Sequence, residues 1–151
     1  MRTLLVVESK HCGNTRRLAE AMAAAVPDTL VTDTKGVQAY DLNAFDLVGF
    51  GSGIYQGGFD RRIVKLIESF SDMPAKAFVF STSGGGDKSY NAKLVKLLKS
   101  KNKTVVGDFA CKGLDKFFVL RFVGGVNKGC PTAQDLQDGA DFLRGVVASL
   151  C

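Results

Sequence analysis

The chain predicts one α/β domain, spanning residues 1–151, built on a mainly parallel sheet covered by helices on both faces. Three features of the sequence carry that expectation. Short continuous apolar runs alternate with segments in which apolar residues recur every three or four positions. Loops rich in glycine and hydroxyl side chains follow the strongest of these runs. A length of 151 residues, 46% of them hydrophobic, suits a single substantial core.

Taken in order, Thr3 to Val7 is an unbroken apolar run, the pattern of a strand buried on both faces. Leu18, Met22 and Val26 then recur at helical spacing until Pro27 stops the helix. Thr29 to Thr32 is a short second strand, and Leu47 to Gly51 a strong third. Between them, residues 33–45 show no clear helix. Phe59, Ile63, Ile67 and Phe70 mark one face of a second helix, and Ala77 to Ser81 form the fourth strand. Tyr90, Leu94 and Leu98 mark the third helix, and Thr104 to Val106 open the fifth strand. The last helix is the cleanest. Thr132 and Asp135 have the spacing of a capping box, and Leu136, Ala140, Leu143, Val147 and Leu150 follow on one stripe. The apolar run Phe117 to Val123 reads as an extra edge strand or core filler.

Composition excludes several classes. No apolar run approaches the ~20 residues of a membrane-spanning helix, and Thr3–Val7 ends at Glu8 without the cleavage signal of a leader. A cytoplasmic protein without membrane insertion is expected. Cys12, Cys111, Cys130 and Cys151 are far apart, and with a single histidine they give no zinc pattern, so no metal site and reduced thiols are expected. Lys93, Lys96, Lys99, Lys101 and Lys103 lack interleaved aromatics for base stacking, so they read as a solvated helix face and no nucleic-acid partner is expected.

In an open α/β sheet, ligands bind beyond the carboxyl ends of the strands. The loop after the first strand, Ser9, Lys10, His11, Cys12, Gly13, Asn14 and Thr15, combines backbone N–H groups, a helix N-terminus and hydroxyl donors, which suits a phosphate. An ordinary capped turn would read the same way. The loop is neither a P-loop nor a GxGxxG fingerprint. A second loop, Gly51 to Gly58, lets backbone approach a planar ligand, with Ile54 and Tyr55 available to cover a ring. A third, Ser81 to Gly86, follows the fourth strand.

With these three loops in this order, the chain resembles the flavodoxin family over nearly its full length. Ser9 to Thr15 matches the family's phosphate loop, while Phe50 to Tyr55 and Phe80 to Gly84 are similar to its two isoalloxazine loops. Cys111 to Asp115, Gly124-Gly125 and Lys128-Gly129 resemble a pattern of one branch. The resemblance implies a doubly wound five-stranded parallel sheet in the order 2-1-3-4-5 and non-covalent FMN used for one-electron carriage. By the same resemblance Ser9, Gly13, Asn14 and Thr15 would hold the phosphate. Ser52, Gly53, Ile54, Tyr55, Gln56 and Gly57, with Thr82, Ser83, Gly84 and Gly85, would frame the ring, Tyr55 stacking on it. The implied partners are redox proteins, and no catalytic side chain is required because the flavin carries the chemistry. The alternative implied is a flavodoxin-fold flavoenzyme of the quinone reductase or protoporphyrinogen oxidase type. Familiar flavodoxins are acidic, whereas this chain carries a net charge of +5, which hints at acidic partners, and it lacks the tryptophan that many of them stack on the flavin.

Overall fold

A computed structural model describes residues 1–10, 13–113 and 131–151. The run Phe117 to Val123 lies outside them, as do His11, Cys12, Asp115, Lys128 and Cys130. The elements are β1 (Thr3–Glu8), α1 (Asn14–Ala25), β2 (Thr29–Thr32), β3 (Leu47–Tyr55), β4 (Gly58–Phe59), α2 (Arg61–Ser69), β5 (Lys76–Ser83), α3 (Ala92–Ser100), β6 (Thr104–Lys112) and α4 (Ala133–Leu150). The sheet order is β2-β1-β3-β5-β6, all parallel, with β4 paired antiparallel to the end of β3. Setting β4 aside, this is the expected 2-1-3-4-5 arrangement.

Alternation along the strands divides the core. Leu4 and Val6 of β1, with Val48 and Phe50 of β3, pack under α2 and α3 through Ile63, Ile67, Leu94 and Leu98. Leu5 and Val7 face the other way, against Leu18 and Met22 of α1 and Leu143 and Val146 of α4. Each such fully buried side chain contributes about 1.5–3 kcal/mol relative to exposure. On that second face two strand glycines make room for large neighbours. A Cβ at Gly49 would lie 2.4 Å from the Phe78 ring and one at Gly51 2.2 Å from the Phe80 ring, each ring belonging to the register partner on β5. Similarly, a Cβ at Gly139 would lie 2.5 Å from Leu18, so the glycine lets α4 approach α1 closely.

The capping box at α4 is present: the Thr132 hydroxyl accepts from Asp135 N at 3.1 Å and the Asp135 carboxylate accepts from Thr132 N at 2.8 Å. Several boundaries differ from the sequence expectation or extend it. Phe59 belongs to β4, not to the second helix, because Asp60 caps α2 by accepting from Arg62 N. Tyr90 lies in a 3-10 turn (Lys88–Asn91) ahead of α3, set up by Asp87 accepting from Ser89 N, and it is exposed. The third, fourth and fifth strands run on to Tyr55, Ser83 and Lys112. Residues 33–45 form two 3-10 turns, Gly36–Ala39 and Leu42–Ala44, which bury Val37 and Leu42 without a regular helix.

Candidate functional site

The parallel register aligns the carboxyl ends of four strands. Glu8 of β1 pairs with Ser52 of β3, Gly53 with Thr82 of β5, and Thr82 with Cys111 of β6. The three loops singled out in the sequence therefore meet along one edge of the sheet, where α1 also begins.

In the first loop Gly13 precedes α1 with φ +66°, a conformation that a glycine adopts at little cost. No side chain caps the helix there. The Ser9 Oγ is buried and makes no hydrogen bond among the described residues. Thr15 and Thr82 are 1% and 3% exposed, and their hydroxyls lie 2.8 Å apart. Only one hydrogen can lie between two hydroxyl oxygens, so this pair keeps a second O–H with no further bond. Among the described residues, two buried O–H donors thus lack acceptors in the segment around the uncapped start of α1. Leaving a buried donor unmade is expensive, and an anion at this end of α1 is the kind of acceptor such donors lack. That is the fit a phosphate group requires.

The third loop is held closed around Ser83. Its hydroxyl accepts from Gly86 N at 2.9 Å and its carbonyl accepts from Gly113 N at 2.9 Å. A Cβ at Gly113 would lie 2.8 Å from Asn14 Nδ2 and 3.2 Å from the Thr82 Cβ, so the end of β6 is packed directly against the start of α1 and β5. Gly84 and Gly85 line the rim of this turn, and a cavity of about 580 Å³ opens beside it between Gly85, Cys111, Lys112 and Thr132. Cys111 is buried and Cys151 exposed.

The second loop is not a loose glycine segment but a hairpin. Ile54 pairs with Phe59 and Tyr55 with Gly58, leaving Gln56 and Gly57 at the tip with φ +52° and +78°. Two positive φ values in a two-residue connection match the twist of the strands on either side. Ser52, fully buried, braces the hairpin by donating to Gly53 O at 2.5 Å and accepting from Asp60 N at 3.0 Å. Tyr55 folds back over Gly53 to the first loop. Its phenol oxygen accepts from Lys10 N at 2.9 Å, and the Lys10 ammonium sits 4.9 Å from the ring centroid. Burial pushes the Tyr55 phenol above its ordinary pKa.

Sequence reasoning missed a charged cluster beneath this hairpin. Asp60 and Glu8 are 3% and 6% exposed. Arg62 donates to Asp60 through Nε at 3.1 Å and Nη2 at 2.8 Å, and reaches Glu8 with Nη1 at 2.8 Å. Lys10 Nζ lies 3.6 Å from Asp60, and Thr34 donates to Glu8 through its backbone N and its hydroxyl. The Arg62 guanidinium holds the Asp60 carboxyl below the usual range, and Asp60 in turn raises Arg62. A carboxylate closing a buried strand, and an Asp just before a helix, were the available signals. Among the described residues no group of three or more His, Cys, Asp or Glu is placed to hold a metal ion, and no helix is long and apolar enough to cross a membrane.

A flavodoxin-domain family model matches residues 5–117. An uncharacterized protein of Methanocaldococcus jannaschii is 32% identical over 152 residues, 97% of this chain and 99% of the relative. Among solved structures, oxidised flavodoxin 2 from Bacillus cereus superposes with a TM-score of 0.71 at 12% identity, covering 99% of each chain. A flavoprotein from Lactobacillus acidophilus, solved in complex with FMN, gives 0.58 at 18% identity over 71% of this chain and 91% of its own. This chain belongs to the flavodoxin family, for which FMN is the cofactor.

Proposed function

We propose that this chain is an electron carrier that holds FMN non-covalently and passes electrons one at a time between redox proteins. The observation that carries the reading is the pair of unused buried O–H donors, Ser9 and one of Thr15 or Thr82, beside the uncapped start of α1. A flavin with no phosphate leaves those donors without a task. When bound, FMN supplies the electron chemistry. The chain's own residues bind and orient it: the first loop takes the phosphate, and the hairpin and the Ser83 turn flank the ring. None of them has to move a proton for electron carriage.

Titration of the purified protein with FMN and with riboflavin tests this. One-to-one binding with a clear preference for FMN is expected, and equal affinity would overturn the phosphate assignment. Turnover of NAD(P)H with a quinone, without any partner protein, would replace the carrier with a small-molecule flavoenzyme.

A further inference from the structure

The cations of this chain are used very unevenly. Arg62 and Lys10 are engaged by Asp60 and Glu8, Arg16 by Glu20, and Arg144 by Asp141. Lys101 and Lys103 donate to the carbonyls of Glu68 and Met73. Helix α3 is different. Lys93, Lys96 and Lys99 stand on it at intervals of three, are exposed, make no ion pair or side-chain hydrogen bond among the described residues, and have no acidic residue on the same helix to balance them. Like charges at this spacing work against a helix. A face needed only for solubility would mix both signs.

Two of these lysines, Lys96 and Lys99, join Lys88 around an open cleft of about 400 Å³ whose floor is Ala92 and Val95. Asp108 is the single acid lining it, 3.3 Å from Lys88 Nζ, so the cleft remains cationic. Lys88 opens the 3-10 turn Lys88–Asn91, which packs against β4, the end of β5 and β6. The cleft therefore starts at the rim of the proposed flavin site and runs away from it along α3. Read from sequence, the α3 lysines formed a separate solvated face; the fold joins two of them to Lys88.

We propose that this cleft is the docking surface for an acidic redox protein, whose carboxylates pair with Lys88, Lys96 and Lys99 while its own redox centre faces the hairpin and the Ser83 turn. The proposal rests on the carrier reading and adds the surface and the charge of the partner. Lysines around an apolar floor suit brief, salt-sensitive encounter: the charges steer approach, and the small floor limits the apolar area that would slow release.

The experiment uses the FMN-loaded protein and a small, strongly acidic iron–sulfur ferredoxin as probe, with stopped-flow reduction of the flavin read at low and high salt. Lys96→Glu with Lys99→Glu should slow the low-salt rate at least about tenfold and flatten its salt dependence. A charge-matched control, Arg17→Glu with Lys76→Glu, changes cations outside the cleft and should slow it by less than about threefold. Reduction by dithionite should be equal in all three proteins. Equal slowing by the two double variants, or none by the cleft variant, would overturn the proposal. Amide shifts on titration with the oxidised ferredoxin provide a readout that needs no flavin. Shifts clustered over residues 88–99 in both apo and FMN-loaded protein support docking there, and shifts centred elsewhere reject it. A protein that takes up no FMN would defeat the carrier reading and still leave this shift map to decide the surface.

Discussion

The two sides of the site are built on opposite principles. On the side proposed to take the phosphate, polar groups are buried with bonding capacity to spare: the Ser9 hydroxyl has no partner among the described residues, and Thr15 and Thr82 share one hydrogen between two hydroxyls. On the hairpin side, Ser52, Tyr55, Asp60 and Glu8 are each closed upon their neighbours. Ser52 is occupied by Gly53 and Asp60, Tyr55 by Lys10, and Asp60 and Glu8 by Arg62. A group kept open in a buried place is poised to receive something; a closed group fixes the position of its surroundings. The first side should then govern what binds, and the second how firmly the site is held. Substitutions on the two sides should separate affinity from stability.

The largest effect is expected from opening the first side further. Ser9→Ala combined with Thr15→Val removes two hydroxyls, and hydrogen bonds to a charged group are worth about 1.5–3 kcal/mol each. FMN affinity should fall by somewhere between about tenfold and several thousandfold, measured by quenching of flavin fluorescence, while riboflavin binding changes little. If FMN and riboflavin weaken together, the hydroxyls shape the loop and do not bind the phosphate.

On the closed side, Arg62→Leu leaves Asp60 and Glu8 buried without their main counter-charge. Breaking a buried ion pair by removing one partner costs about 3–5 kcal/mol, and the half-exposed Arg62 places this case near about 2–3 kcal/mol. Urea unfolding should show the loss in the apo protein. In the folded variant the ratio of FMN to riboflavin affinity should stay near that of the parent. A changed ratio would mean that the cluster reaches the phosphate side and that the two sides are not separate.

The contrast also explains what the sequence revealed. The alternation of strands and helices, the α4 cap and the three loops were legible because apolar period, capping chemistry and glycine-hydroxyl loops are local signals, whereas the strand order came from the family resemblance. Phe59 illustrates the limit: it sits at helical spacing with Ile63 and Ile67, yet Asp60 starts the helix after it and the phenylalanine pairs with Ile54 instead. The role of Ser52 was hidden for a related reason. It reads as a ring-framing hydroxyl, but its partner Asp60 N arrives only because the Gln56–Gly57 turn folds β4 back. Glu8 is far in sequence from Asp60 and Arg62, and nothing in that spacing announces that strand register will bring them together. The Thr15–Thr82 pair likewise joins residues 67 positions apart.

The smallest expected effect is on the pH dependence of stability, and it isolates charge within the closed side. Asp60→Asn keeps a side chain able to cap α2 by accepting from Arg62 N, so the local helix start is preserved. What disappears is the negative charge that Arg62 and Lys10 face. Hydrogen bonding to Arg62 lowers the folded-state pKa of Asp60 relative to the unfolded chain, where a carboxyl of this kind titrates near ~3.9. A lowered folded value means that the unfolded state takes up the proton first as pH falls. The charge therefore adds its full stability above the unfolded value and loses it progressively as pH drops through the folded one. The parent should exceed Asp60→Asn by about 1–2 kcal/mol at neutral pH, from the charged hydrogen bonds lost. That gap should hold down to about pH 5 and close below about pH 4. Urea unfolding of the two apo proteins from pH 7 to pH 3 checks the sign directly. A gap that is independent of pH would assign Asp60 to capping and packing alone, and one that widens on acidification would reverse the charge assignment. Either result would leave Glu8 as the carboxylate that Arg62 principally serves.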